Sequence, residues 1–177
     1  MLRIITRYGL VAGLMVGIPL FAITVGMKDD PPAAGVAIGY LIMLVALSTI
    51  FIAIKQHRDR AGGGVIRFWP ALAIGLGISL VASLFYILAW ELALAVTGLD
   101  FAGEYVKALV AQEEAKGVAG AELERFKAEM EAFARDYANP LFRIPVTFTE
   151  VFPVGALVSL VSAALLRNSR FLPARAA

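Results

Sequence analysis

The chain contains no cysteine and a single histidine, His57. The first absence excludes a disulfide framework, a thiolate metal site and a cysteine nucleophile, and it leaves the redox compartment without a marker. The second deprives metal binding and Ser/His catalysis of their usual ligand and base. Charge is scarce too: Asp, Glu, Lys and Arg make up 17% of the 177 residues while 60% are hydrophobic, against about 25% and about 45–50% in soluble domains. That balance excludes an ordinary soluble domain. A formal charge of +2 is also too even to suggest a nucleic-acid partner.

In place of those features stand four long stretches nearly free of charge. Tyr8 to Met27 is 20 residues, Pro31 to Ile54 is 24, Phe68 to Trp90 is 23 and runs on past Glu91 to Leu99, and Ile144 to Leu166 is 23 with one acid, Glu150. A helix of 20 residues crosses about 30 Å, the thickness of a bilayer's hydrocarbon core. Only helices and closed barrels satisfy their backbone in lipid, and runs of this length are helical. The expected fold is therefore an all-α membrane protein, one domain over 1–177. Four transmembrane helices (8–27, 33–54, 68–98 and 144–166) form one bundle, and an amphipathic helical hairpin over 101–138 lies between helices three and four. Arg3 and Arg7 ahead of the first stretch resemble a signal peptide. Its 20 apolar residues exceed the usual length of about 7–15, and no clear A-x-A site precedes Lys28, so it reads as a permanent span.

The basic residues set the orientation. Arg3, Arg7, Lys55, Arg58, Arg60, Arg67, Arg167, Arg170 and Arg175 fall in three segments that share one side of a four-helix topology, with Asp59 as their only acid, a net of +8. The other side receives Lys28, Asp29 and Asp30, and then Asp100 to Arg143, whose six bases and nine acids give −3. The positive-inside rule places both termini in the cytoplasm and the hairpin outside. On the basic side Lys55, Arg58, Arg60 and Arg67 are expected to meet lipid headgroups. The glycines at 62–64 there lack the Gly-Lys-Ser/Thr ending of a phosphate loop. Trp69 and Pro70 mark where helix three re-enters at headgroup level.

Small residues at helical spacing indicate packing. Gly9, Gly13 and Gly17 share one face of helix one; Gly35 and Gly39 pair in helix two, Gly75 and Ser79 in helix three, Gly155 and Ser159 in helix four. In lipid such steps let backbones approach. They serve one compact bundle or, for helix one, a homodimer seam. In the hairpin Leu123, Phe126, Met130, Phe133 and Tyr137 form an apolar seam at 3, 4, 3, 4 spacing, which the stretch around Phe101, Tyr105 and Leu109 can cover. Lys127, Glu131 and Arg135 suggest i, i+4 ion pairs on its outer side. The same hairpin is the place where another membrane or periplasmic protein can dock.

Two acids lie within the apolar stretches. Glu91 is nine residues before Asp100 and Glu150 seven after Arg143, so axial rise puts both about 10–13 Å below the outer end. With no base expected at that depth, an ionised pair would repel, and protonation of at least one, or a proton or cation shared between them, is expected. Tyr86, Trp90 and Thr147 supply donors nearby, and Pro153 frees a carbonyl and kinks helix four. Against that candidate ion or ligand site stands a structural role, in which both acids hold helices three and four in register. No nucleophile, cofactor motif or metal set accompanies them, so an enzyme is not expected.

Several runs together resemble a known family. They are Tyr8-Gly-Leu, Gly39-Tyr-Leu-Ile-Met, Ile54-Lys-Gln-His-Arg-Asp, Trp90-Glu91, Asn139-Pro-Leu-Phe-Arg, Phe148-Thr-Glu-Val-Phe-Pro-Val-Gly155, Ser159-Leu-Val-Ser-Ala163 and Leu166-Arg167. In this order they are similar to the bacterial membrane proteins grouped as domain of unknown function 4199. The resemblance implies a four-helix bacterial inner-membrane protein and carries over no catalytic residue, substrate or partner. The expected role is a structural or accessory membrane component; the alternative is a small proton- or cation-coupled transporter or channel using Glu91 and Glu150.

Overall fold

The computed structural model of the chain describes residues 1–26 and 35–173, and among these the regular structure is entirely helical. Six helices follow in order: α1 (Leu2–Gly26), α2 (Gly35–Ala61), α3 (Phe68–Thr97), α4 (Phe101–Ala115), α5 (Ala121–Tyr137) and α6 (Pro140–Leu166). Four of them, α1, α2, α3 and α6, are long and apolar enough to cross a membrane. The expected helix ends at residues 27 and 33 lie outside the described residues.

The spanning helices outrun the charge-free windows. α1 starts at Leu2 and carries Arg3 and Arg7, α2 continues through Lys55 to Ala61, and α6 begins at Pro140. Absence of charge marks contact with hydrocarbon, whereas helical hydrogen bonding continues through charged turns in the headgroup layer. The basic segment after Ile54 is thus mostly helix, and the turn proper is 62–67. Local chemistry sets the remaining ends. Gly98, at φ 62°, terminates α3 with its N–H on the Leu94 carbonyl, a left-handed cap that glycine adopts without a Cβ penalty. Asp100 caps α4 by accepting from the Gly103 N–H, and Asn139 caps α6 by accepting from Leu141 N–H, with Pro140 at the first helical position. α6 stays helical through Pro145 and Pro153.

α3 lies at the centre, in contact with α1, α2 and α6; α2 also touches α1 and α6. The core between them is apolar and close: Leu47, Ile50 and Ile54 of α2, Ile74 and Ile78 of α3 and Val151 of α6 are fully buried. Outward faces are apolar as well, with Leu80, Leu84 and Leu88 of α3 about half exposed. A surface of that kind is what lipid covers. α4 and α5 pack on each other, and α5 reaches α6. Leu123 and Tyr137 of the seam are buried, with Phe126, Met130 and Phe133 partly so. Lys127 pairs with Glu114 of α4 at 3.3 Å and with Glu124 at 3.5 Å, instead of the expected i, i+4 partner Glu131.

Candidate functional site

The small-residue steps are where the helices come closest. A Cβ added to Gly9 would lie 2.7 Å from Val81 Cβ, one on Gly13 would lie 2.6 Å from Phe85 Cγ, and one on Gly17 would be 3.3 Å from both Ala89 Cβ and the Phe85 carbonyl oxygen. The glycine face of α1 is thus occupied by α3 of the same chain. Between α3 and α6 the contact is reciprocal: a Cβ on Gly75 would meet Ser159 Oγ at 2.5 Å, and one on Gly155 would meet Ser79 Oγ at 2.5 Å. The two serine hydroxyls stand 3.3 Å apart, and each bonds the carbonyl one turn back, Ser79 to Gly75 and Ser159 to Gly155. In α2 the same spacing has another outcome. Among the described residues nothing lies within 4 Å of a Cβ on Gly39, which lines a crevice of about 90 Å³ among α1, α2 and Tyr86.

Toward the far end of the α3–α6 contact the chemistry changes. Arg143, on the first turn of α6, grips Glu91 of α3 with two donors, Nε to Oε1 at 2.7 Å and Nη2 to Oε2 at 2.5 Å. Its Nη1 donates to the Tyr137 carbonyl at 3.2 Å, and the guanidinium carbon stands 5.8 Å from the centroid of the Tyr137 ring. Side-chain exposures of 13% for Arg143 and 26% for Glu91 place the pair mostly out of water. The expectation that no base reaches the depth of Glu91 is therefore wrong. Axial rise locates a Cα, while the long arginine side chain carries its charge past its own backbone position.

Around this pair the end of α5 is fastened to α3. Trp90 Nε1 donates to the Tyr137 hydroxyl at 3.0 Å, and Trp90 meets Phe101 of α4 edge to face with centroids 4.9 Å apart. Phe133 packs tilted on Tyr137 at 5.6 Å and edge-on to Phe142 of α6 at 6.1 Å. Burial pushes the Tyr137 phenol above its ordinary pKa, and the Trp90 N–H partly offsets this by favouring the ionised oxygen. The phenol is a neutral hydrogen-bonding group here.

The remaining predicted residues occupy distinct places. Glu150 takes its own partner, Tyr86, whose hydroxyl donates to Oε2 at 2.9 Å, so the two acids have separate partners in place of a shared one. Thr147 is buried and bonds the Arg143 carbonyl at 3.0 Å, and Pro153 is exposed. The crevice beside Tyr86 is lined by neither Glu91 nor Glu150. Among the described residues no three His, Asp or Glu side chains gather as a metal-binding group.

At the opposite end of the molecule one expectation fails. Arg58, assigned to lipid headgroups, is fully buried. Its Nε donates to Asp59 at 2.8 Å, Nη1 to the Phe171 carbonyl at 2.9 Å and Nη2 to the Leu172 carbonyl. The chain after α6 folds back over the end of α2, and Phe171 meets Phe51 edge to face at 6.4 Å. A guanidinium fork serves two successive carbonyls better than a single headgroup contact. Lys55 joins Asp59 in an ion pair, while Arg60 and Arg67 are exposed.

Sequence reasoning gave Arg143 no role, placed Tyr137 only in the hairpin seam and assigned Arg58 to headgroups. Arg143 had a signal, since a base one turn inside Asn139-Pro140 stands on the first turn of the span, not beyond it. Arg58 had none, because nothing local in Lys55 to Arg67 separates it from its basic neighbours.

A family model described as a protein of unknown function, DUF4199, matches residues 7–168, and the chain belongs to that family. Searches of curated proteins and of solved structures each find no match.

Proposed function

We propose that the chain is a multi-pass protein of the bacterial inner membrane with both termini in the cytoplasm, acting as a structural or accessory component. In this reading α1, α2, α3 and α6 form one bundle, and α4 with α5 forms an extracytoplasmic hairpin that presents its outer face to another membrane or periplasmic protein. The charge asymmetry supports the orientation, because the basic flanks gather on one side. One observation carries the role: Arg143 commits Glu91 to a two-donor ion pair at the joint between α3 and the α5–α6 corner. That charge holds helices together, and a group so occupied is poorly placed to bind and release a passing ion.

Two measurements test it. The chain has no native cysteine, so single cysteines report topology directly: Ala119→Cys is expected to react with an impermeant maleimide in intact spheroplasts and Gly63→Cys only after lysis. The reverse pattern overturns the orientation. A photo-crosslinker at Arg125 or Glu129, on the exposed part of α5, is expected to trap a discrete protein partner in cells, and its failure at both positions overturns the accessory role. Proton or cation flux in proteoliposomes that disappears on Glu150→Gln would also overturn it.

A further inference from the structure

The chain's two tryptophans, Trp69 and Trp90, stand 21 residues apart on α3. That separation is about 32 Å of helix, close to the roughly 30 Å of a hydrocarbon core. Trp69 is 74% exposed, and between the two tryptophans Leu80, Leu84 and Leu88 face outward. Tryptophan favours the boundary between hydrocarbon and headgroups. In a spanning α3 the last turns, from Trp90 to Thr97, therefore run through a headgroup layer.

The α4–α5 hairpin begins inside that layer. Phe101, at the start of α4, meets the Trp90 ring edge to face at 4.9 Å, and Tyr105, one turn on, stacks on Phe101 at 5.9 Å. On the other flank Trp90 Nε1 donates to the Tyr137 hydroxyl, and rings continue from Tyr137 through Phe133 to Phe142 of α6. Tyr137 and Trp90 in the middle of this row are buried, but its ends open outward: Tyr105 is 46% exposed, Phe142 39%, and Leu141 beside it 82%. Depth selects what meets them. Rings within two ring contacts of Trp90 lie level with the acyl-chain ends and the headgroups, where an apolar ring face and a phenol hydroxyl are both satisfied. The exposed patch also runs on, through Ile144, into the apolar outward face of α6.

We propose that Tyr105, Leu141 and Phe142, backed by Phe101, form an aromatic ledge that binds the phospholipid headgroup layer and anchors the hairpin to the membrane surface. Arg125 and Glu129 of α5 stay in water. The inference rests on the spanning reading of α3 and α6, and it removes one edge of the hairpin from those a partner protein can use.

The test uses the full chain in lipid nanodiscs, with Trp69→Phe and Trp90→Phe removing the native indoles and one tryptophan returned at a time. Tyr105→Trp is expected to be quenched more by phospholipids brominated near the headgroup end of the acyl chain than by those brominated near its methyl end, and to be largely spared by aqueous iodide. Leu80→Trp, midway along the span, is expected to reverse the order of the two lipids, and Arg125→Trp to respond to iodide alone. Adding Leu141→Glu and Phe142→Glu is expected to remove most of the shallow quenching at position 105 while circular dichroism shows the helices retained. Iodide quenching of Tyr105→Trp as strong as that of Arg125→Trp overturns the proposal, as does shallow quenching that survives the two glutamates. A Tyr105→Trp shielded from both lipid bromine and iodide also overturns it, because protein, such as a second copy of the chain, then covers the ledge. Leu80→Trp separates the two readings: if neither lipid quenches it, the spanning reading fails, whereas deep quenching there with an iodide-exposed Tyr105→Trp removes only the ledge.

Discussion

The contact between α3 and α6 is made twice over, by opposite means. Toward the start of α3 it is a close approach: Gly75 faces Ser159, Gly155 faces Ser79, and the backbones are separated by little more than a hydroxyl. Toward the end of α3 it is a bridge of long side chains, Glu91 to Arg143, beside which Trp90 reaches Tyr137 at the end of α5. Close approach depends on what is missing, a side chain, and tolerates no addition. The bridge depends on what is present, two charges, and tolerates no removal. One helix pair thus has one joint that fails by overpacking and one that fails by leaving a charge alone.

The largest expected effect is at the bridge. Glu91→Gln leaves Arg143 without its anion, and we expect a loss of about 3 kcal/mol, the low end for a broken buried pair because Glu91 keeps some exposure. Detergent-micelle unfolding of the full chain measures it. Replacing both partners, as Glu91→Leu with Arg143→Met, is expected to recover at least half of that loss, since the cost comes from the stranded charge and not from the missing attraction. A double variant as unstable as the sum of the singles would show that the bridge works by some other means.

At the close approach the opposite substitution is the damaging one. Gly155→Ile and Gly13→Leu each insert a side chain where a Cβ alone would already stand under 3.0 Å from a neighbour, and each is expected to cost about 2 kcal/mol or more. Gly39→Ala is the control: with nothing among the described residues within 4 Å of its Cβ, it is expected to be neutral in the same unfolding assay. A destabilised Gly39→Ala would mean that the glycine pattern itself, and not the approach, is what matters. Next in size comes Trp90→Phe, which keeps an aromatic ring against Phe101 and removes only the N–H donated to Tyr137. About 1 kcal/mol is expected, together with faster hydrogen exchange at the end of α5.

These contrasts explain what the sequence disclosed. Apolar runs of 20 residues and more are long enough to cross a bilayer as helices, so α1, α2, α3 and α6 were legible as helices of that kind, and the 3, 4 periodicity of Leu123 to Tyr137 disclosed α5. Partners were less legible. Gly13 and Gly39 carry the same i, i+4 signature, yet one is pressed against Phe85 and the other lines a crevice, because spacing defines a face and not what covers it. Glu91 was recognisable as an acid needing a partner, but counting residues along an axis assigns charge to the backbone and overlooks the reach of Arg143. Arg58 was hidden for a similar reason: its partners are carbonyls more than 110 positions away, and carbonyls leave no trace in a sequence.

The smallest effect tests whether the serines belong to the close approach or form a bridge of their own. Ser79 and Ser159 have one proton each, and each proton has a nearer acceptor in its own helix, at 2.9 Å for Ser79 and 2.6 Å for Ser159, than in the opposing hydroxyl at 3.3 Å. The cross-helix contact is then little more than two polar atoms tolerating each other, and hydroxyl contacts between spanning helices average only about 0.6 kcal/mol in any case. Ser159→Ala is accordingly expected to cost no more than that, because alanine preserves the small volume that Gly75 requires. Ser159→Val, which puts two methyl groups where the single hydroxyl stood, is expected to cost more than twice as much. A larger loss from alanine than from valine would make the hydroxyl pair a hydrogen-bonded bridge like the one at Glu91, and would dissolve the distinction between the two ends of the α3–α6 contact.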